Sequence, residues 1–285
     1  MKNIGEGGEI ALKIRLVRMR DEGLLLHGLE IIDVGFDDSY APIDDVIYEE
    51  ALICELNNNE DRLYDIGKKC GIYKGGLFDK ADVYINGKGY SVKCMAGANP
   101  AMVNHTNRVG FERVCEKVGS DITVLDSIID DYWDWRLNRG GTEDSHVSDS
   151  DSPFRDYKEY FRPILEYFFF YGSGSRDSEH PAEYVLDFDD PFDEDTWVIM
   201  DKDEVYDRLW DSLVFSLRSK KGMPKDYDLS YKGKGAESIA KWVRYCDGGY
   251  KGALHIRAKT FRRDETLIAN ALKEQKKAKS VKDTR

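Results

Sequence analysis

The sequence predicts an α/β protein in which a mixed β-sheet is flanked by helices. Three observations carry that prediction. Apolar residues recur at helical spacing in Ile10, Ile14 and Val17, and again through Ile122, Leu125, Ile128, Ile129 and Trp133. Between them, the stretch from Asp82 to Lys93 alternates polar and apolar residues on either side of Asn86-Gly87, the strongest two-residue hairpin signal. A second strand pair can form between Trp242 and Arg257 around Asp247-Gly248-Gly249, with His255 and Arg257 on one face. No internal repeat suggests a solenoid.

In chain order, the glycine-rich opening Gly5-Glu6-Gly7-Gly8-Glu9 runs into the first helix, and Gly23 stops it. The run is not a phosphate loop, because no Gly-Lys-Ser/Thr ends it. Leu24 to Phe36 reads as one or two strands, and Asp44 or Asp45 can cap a helix from Val46 to Leu56 that Asn57-Asn58-Asn59 ends. His27 has no second ligand at metal-binding spacing. Asp65 to Asp79, with Gly67, Gly71, Gly75 and Gly76 among Lys68, Lys69 and Lys74, reads as a flexible basic loop leading to the hairpin. Glu112 and Glu116 are one helical turn apart and read as a surface pair. Ile122 to Arg136 is an amphipathic helix whose aromatic end, Tyr132-Trp133-Asp134-Trp135-Arg136, belongs to a core or interface. Asn138 to Pro153 is a polar loop or boundary. Tyr167 to Tyr171, a helix or strand, must be buried before Gly172-Ser173-Gly174-Ser175 breaks it. Asp187 to Asp211 is an exposed acidic face, since the glycine and terminal glutamate of a calcium loop are missing. The tail from Asp264 is helical.

The hairpin brings chemistry together. With Asn86-Gly87 as the turn, Ile85 pairs with Lys88, so Asp82 falls opposite Ser91, and Lys93 shares their face. A four-residue turn from Asn86 to Gly89 puts Asp82 directly opposite Lys93. Either loop leaves an acid and a lysine together while Val83, Ile85 and Val92 point into a core. A register slip of one residue would separate them. A carboxylate beside a lysine at a strand end suits metal-assisted hydrolysis of a phosphodiester: the carboxylate holds a hard cation, and the ammonium orients water and offsets charge on the phosphorane. A solvated charge pair has the same spacing.

Composition bounds the partners. The chain has 285 residues, 34% of them charged and 41% hydrophobic, and a net charge of −12. It carries no apolar run of membrane-spanning length, and its start does not read as a signal peptide. Five scattered cysteines without a Cys-X-X-Cys pair argue against structural zinc and a disulfide framework and fit a reducing cytoplasm. The negative total opposes nucleic-acid binding. Its distribution does not: residues 1–60 carry −9, 61–118 carry +4, 119–215 carry −18 and 216–285 carry +11.

Asp82 followed by Ser91-Val92-Lys93 resembles the variant PD-(D/E)XK nuclease motif in which Ser replaces the second acid. Gly89-Tyr90-Ser91-Val92-Lys93, Gly97, Pro100, Asn104 and Phe111 are similar in type and spacing to the HpaII-like type II restriction endonucleases. The chain departs from that pattern at Cys94, Ala101-Met102 and Val109-Gly110, where the family tends to Ser, Thr-Leu and Thr-Asn.

The resemblance implies a restriction-endonuclease-like core and a Mg2+-dependent enzyme that hydrolyses double-stranded DNA, leaving 3′-hydroxyl and 5′-phosphate ends. Asp82, with Glu9 or less readily Glu6, would bind the metal; Lys93 would position or activate water; Ser91 would support the site. Asn104, His105, Asn107 and Arg108 would contact phosphate or bases. Lys220, Lys221 and Arg257 are candidates for major-groove readout. The expected organisation is a nuclease core over 1–137, an acidic helical and loop insertion over 138–215 and a basic DNA-recognition region over 216–285. Symmetric double-strand cutting suggests a homodimer, and the resemblance implies a prokaryotic cytoplasm. Two rivals share the core: a nuclease that reads DNA structure, and an inactive DNA-binding module, which Ser91 permits.

Overall fold

The computed structural model describes residues 4–36, 40–56, 60–76, 78–96, 100–219, 223 and 227–258. They form two compact units. The first takes the described residues through Pro100 together with Glu179–Lys202; the second takes Ala101–Ser178 and the described residues from Asp203 onward. The compositional boundaries at 137 and 215 both fall within the second unit.

In the first unit the chain runs α1 (Ile4–Glu22), a short hairpin β1 (Leu25–Leu26) and β2 (Leu29–Glu30), α2 (Asp45–Leu52), α3 (Glu60–Lys69), β3 (Val83–Ile85) and β4 (Lys88–Cys94). It then enters the second unit with β5 (Ala101–Thr106), α4 (Arg108–Val118), α5 (Ile122–Asn138), β6 (Ser145–His146) and α6 (Lys158–Glu166). After β7 (Tyr184–Phe188) and β8 (Val198–Asp201) in the first unit, it closes with α7 (Lys202–Leu209), β9 (Leu213–Arg218), α8 (Ala236–Trp242), β10 (Arg244–Cys246), β11 (Gly249–Lys251) and β12 (Ala253–Ala258). The protein is therefore α/β, with helices flanking both four-stranded sheets.

The sheet of the first unit has the order β3-β4-β7-β8. It is mixed: β4 and β7 run parallel, while β3 and β8 are antiparallel to them. One face is apolar and lies against α1, through Val83, Ile85, Tyr90, Val92, Leu186 and Phe188. α1 is buried on more sides than the spacing of Ile10, Ile14 and Val17 predicts. Leu12, Leu16 and Met19 are covered too, because α2, α3 and β4 surround the helix. Gly23 ends it in the left-handed conformation, with Leu24 N–H donating to Met19 O at 2.8 Å. Asp44 caps α2, its Oδ1 accepting from Ile47 N–H at 2.8 Å, and the helix stops at Leu52.

Two expectations change. Asp65–Lys69 is helix and not flexible loop, because Leu63 and Ile66, three apart on α3, are fully buried against α1. Asp187 leaves the exposed acidic face: it lies in β7 and is 3% exposed. Asn57-Asn58-Asn59 and the tail from Asp264 lie outside the described residues, as do Gly97, Lys220 and Lys221.

Gly67 lets α3 approach α1. A Cβ there would stand 2.5 Å from Ile10 Cγ2 and 2.9 Å from the Ile72 carbonyl oxygen. Helix propensity alone favours Gly67→Ala by about 1 kcal/mol. Overpacking costs about 1–3 kcal/mol, and here one obstacle is backbone. The variant is expected to be less stable by about 1 kcal/mol in urea unfolding; a more stable variant would show that α3 can move away freely.

The second unit holds the antiparallel sheet β5-β12-β9-β6. Its core is aromatic, with Tyr132, Phe154, Phe161 and Phe215 buried together and Phe154 stacked on Phe215 at 4.2 Å. Trp133 and Trp135 are core residues as expected, each indole N–H satisfied, by Trp242 O at 2.8 Å and Asp151 Oδ2 at 3.0 Å. Phe168, Phe169 and Phe170 are buried in a π-helical turn that continues α6. The expected strand pair around Asp247-Gly248 is the β10–β11 hairpin, with both turn residues at positive φ.

Candidate active site

The site is built on the β3–β4 hairpin. Asn86 and Gly87 take φ of 51° and 73°, the two-residue turn whose twist matches paired strands. The Asn86 side chain also locks the turn, accepting from Ile32 N–H at 2.8 Å and donating to Glu30 O at 2.7 Å. The resulting pairs are Ile85 with Lys88, Tyr84 with Gly89 and Val83 with Tyr90. This is the register of the shorter turn, and it continues as Asp82 N–H donates to Tyr90 O at 2.8 Å.

Asp82, Ser91 and Lys93 consequently meet on the face opposite the α1-facing side. Asp82 Oδ2 accepts from Val92 N–H at 2.7 Å and from Ser91 Oγ at 3.4 Å. The Lys93 ammonium donates to Ser91 Oγ at 2.7 Å and Val92 O at 3.1 Å, and lies 3.9 Å from Asp82 Oδ2. Ser91 therefore bridges the lysine to the carboxylate. Both charged side chains keep an open side, at 25% exposure for Lys93 and 20% for Asp82, so a ligand can reach them.

α1 brings a second acid. Glu9 Oε1 accepts from Gly75 N–H at 2.7 Å, and a Cβ on Gly75 would sit 2.8 Å from Asp82 Oδ1, so a side chain there would press on Asp82. Burial raises the Glu9 carboxyl above its ordinary value; the Lys13 charge opposes that shift, and the charge of Asp82 adds to it. Glu6 points elsewhere, paired with Lys74 at 2.7 Å. Of the two acids considered on this helix, Glu9 is the one held beside Asp82.

Three charged residues around this site escape the sequence reading. Lys13 is wholly buried and donates to Glu9 Oε1 at 2.6 Å and Tyr73 O at 2.7 Å. Its signal was its position four residues after Glu9, on the same helical face. Asp187 is paired in register with Lys93 on the adjacent parallel strand, so it shares the face of Asp82, Ser91 and Lys93. The acid in the otherwise apolar Tyr184–Phe188 strand was the clue. Lys80, two residues before Asp82, is pushed down to about 8 by burial and by the Lys93 charge, with Asp82 opposing.

The remaining site residues belong to the second unit or lie outside the described residues. Asn104 is exposed on β5, and His105 is half-buried at φ 47°. Two residues expected to contact DNA are engaged within the fold. Asn107 caps α4, its Oδ1 accepting from Gly110 N–H at 3.2 Å. Arg108 is 3% exposed and bonded to Asp126, Glu112 and Ser238, each at 2.7–2.8 Å, because its buried guanidinium needs partners for its donors. Arg257 is paired with Asp144 at 2.6 Å and has 22% of its side chain exposed.

His255 shares a face of β12 with Arg257, as expected, and is buried, its Nδ1 3.1 Å from Val103 O. Burial first, then the charges of His105, Arg257 and Arg218, push its imidazole down from 6.5 to about 4. The unfolded chain takes up a proton below about 6.5 that the folded chain resists until about 4. His255 therefore lowers stability by up to about 3 kcal/mol as pH falls through that window. Urea unfolding at pH 7 and pH 5 is expected to show this loss, and His255→Gln to reduce it; an equal loss in the variant would assign it to other groups.

Comparison with protein-family models, with curated proteins and with solved structures gave no match. Among the described residues, no group of three or more His, Cys, Asp or Glu side chains could hold a metal ion by itself. Magnesium asks for less: one or two carboxylates, with water and substrate phosphate oxygens completing an octahedron. Asp82 and Glu9 fit that demand. They are hard oxygen donors that both approach Gly75, and their mutual repulsion, felt at Glu9, is what a divalent cation relieves.

Proposed function

We propose that the chain is a magnesium-dependent endonuclease that hydrolyses phosphodiester bonds in double-stranded DNA, built on a restriction-endonuclease-like core. The observation that carries this reading is the meeting of Asp82, Ser91 and Lys93 on one sheet face, with Lys93 3.9 Å from Asp82 and Glu9 delivered from α1. Asp82 and Glu9 would hold Mg2+, which would supply Lewis acidity at the phosphate. Lys93 orients the attacking water and offsets the charge that builds on the phosphate. Ser91 holds the ammonium in place, a duty that requires a hydroxyl and no acid. Lys13 pairs with Glu9 at 2.6 Å and opposes the upward push that burial exerts on that carboxyl.

By resemblance the enzyme is a site-specific type II nuclease acting as a homodimer in a prokaryotic cytoplasm. No helix among the described residues is long and apolar enough to cross a membrane. The test compares cleavage of linear duplex, a four-way junction and a damaged duplex, with magnesium and with EDTA. Magnesium-dependent cutting of the plain duplex at defined positions is expected. Preference for the junction or the lesion would favour a structure-reading nuclease, and DNA binding without any cutting would favour an inactive module.

A further inference from the structure

We infer that the second unit carries a nucleotide-binding cleft, in which an unstacked base lies against Tyr227 and Tyr231 and the adjoining phosphate meets Lys232. The inference goes beyond the nuclease reading and does not rest on it, since every residue involved belongs to the second unit. The cleft has a volume of about 580 Å³ and lies between the loop that carries both tyrosines and the start of α8, where Glu237 and Ala240 line it. Small-ligand sites span about 300–1,000 Å³. The local sequence builds the aromatic wall. Asp228 Oδ1 accepts from Ser230 N–H at 2.7 Å and Tyr231 N–H donates to Asp228 O at 3.1 Å, a turn that brings the two rings to 5.6 Å. Tyr250 braces Tyr227 in an edge-on contact at 5.9 Å. Gly235, at φ 75°, then turns the loop into α8, and a Cβ there would meet Val109 Cγ2 at 2.7 Å.

Apolar surface and unspent charge together choose the ligand. Leu229, which also lines the cleft, is 72% exposed, so the apolar rim is left to solvent. Lys232 and Lys234 are exposed, and their side chains form no ion pair or hydrogen bond among the described residues. Elsewhere in this basic stretch Arg218, Arg244, Lys251 and Arg257 are all paired with acids. The free positive charge is thus concentrated beside the tyrosines. A base stacks on an aromatic ring whatever its identity, and an ammonium meets the phosphate attached to it. A proline-rich peptide would use the rings and leave the lysines idle. Glu237, also without an ion pair among the described residues, repels phosphate and can accept from the amino group of a base, so the base lies toward α8 and the phosphate toward the loop. A free nucleotide and a base displaced from a strand share this chemistry.

The experiment measures affinities of the full-length protein, without divalent cations, for dAMP, a short single-stranded oligodeoxynucleotide and a proline-rich peptide. The proteins compared are the wild type, Tyr231→Leu, Tyr231→Phe and Lys232→Gln. Tyr231→Leu keeps apolar volume and removes the ring, and is expected to weaken single-strand binding about 10-fold. Tyr231→Phe, which keeps the ring, is expected to bind close to the wild type. Lys232→Gln, at an exposed position, is expected to reduce the slope of log affinity against log salt for the single strand by about 0.7. Loss of dAMP binding in Tyr231→Leu would assign the cleft to free nucleotides as well, and a loss confined to the oligonucleotide would assign it to a strand. Unchanged affinity for both in Tyr231→Leu, with an unchanged slope in Lys232→Gln, would overturn the inference. So would a proline-rich peptide that alone loses affinity in Tyr231→Leu. Because no magnesium and no cleavage enter these measurements, failure of the nuclease reading would leave this result standing, and the reverse.

Discussion

Replacing Lys93 with Ala, or Asp82 with Asn, is expected to reduce magnesium-dependent DNA cleavage by on the order of 1,000-fold or more, about 4 kcal/mol of transition-state stabilisation. The two losses differ in kind. Asp82→Asn removes a metal ligand while keeping an oxygen that can accept from Val92 N–H, so the hairpin should fold as before. Raising magnesium should recover part of its activity. Lys93→Ala leaves both carboxylates in place and removes the ammonium, so extra magnesium should not help. Neither side chain is deeply buried, so thermal midpoints should move little. Single-turnover cleavage over a magnesium series checks both; full activity in either variant would remove that residue from the chemistry. Ser91→Ala should cost less, since Lys93 keeps Val92 O and the charge of Asp82.

Lys13→Met is expected to cost about 3–5 kcal/mol of folding stability, the largest effect foreseen for a residue that does not touch substrate. The lysine has no exposed surface, and its ammonium is shared between Glu9 and the Tyr73 carbonyl. Without it, Glu9 faces burial and the Asp82 charge uncompensated. The double variant Glu9→Gln/Lys13→Met removes both charges and should recover much of the loss, giving a coupling that a double-mutant cycle in urea measures. Additive losses would show that the two charges stabilise the fold independently.

The hairpin was legible because its determinants are local. Asn86-Gly87 fixes a turn type, the turn fixes the register, and the register carries Asp82, Ser91 and Lys93 to one face. Asp44 as a cap and Gly23 as a stop were readable for the same reason. What could not be read depends on partners distant in sequence. Asp187 looked like one more acid in an acidic stretch until β7 docked beside β4, about ninety residues away, and buried it against the Lys93 position. Arg108 looked like a free basic residue because its two-pronged partner, Asp126, comes from packing of α5 against α4, and only Glu112, one turn along the same helix, is local. Gly67 looked like loop punctuation, whereas its missing side chain admits Ile10.

The glycines of α1 carry a similar lesson. Gly8 sits in a helix although its composition argues against one, because a Cβ there would press on Cys94 Sγ and Phe188 at 3.0 Å. Close approach of α1 to the sheet is also what brings Glu9, one residue later, to the edge of the site.

The central claim is that this sheet face breaks DNA backbones with magnesium. Its most direct test is digestion of a plasmid of known sequence by the purified protein in magnesium and in EDTA, with both ends of every break sequenced. The account predicts breaks at one recurring sequence, bearing 5′-phosphate and 3′-hydroxyl ends, in magnesium only. An intact plasmid at every magnesium concentration, or equal cutting in EDTA, would contradict it.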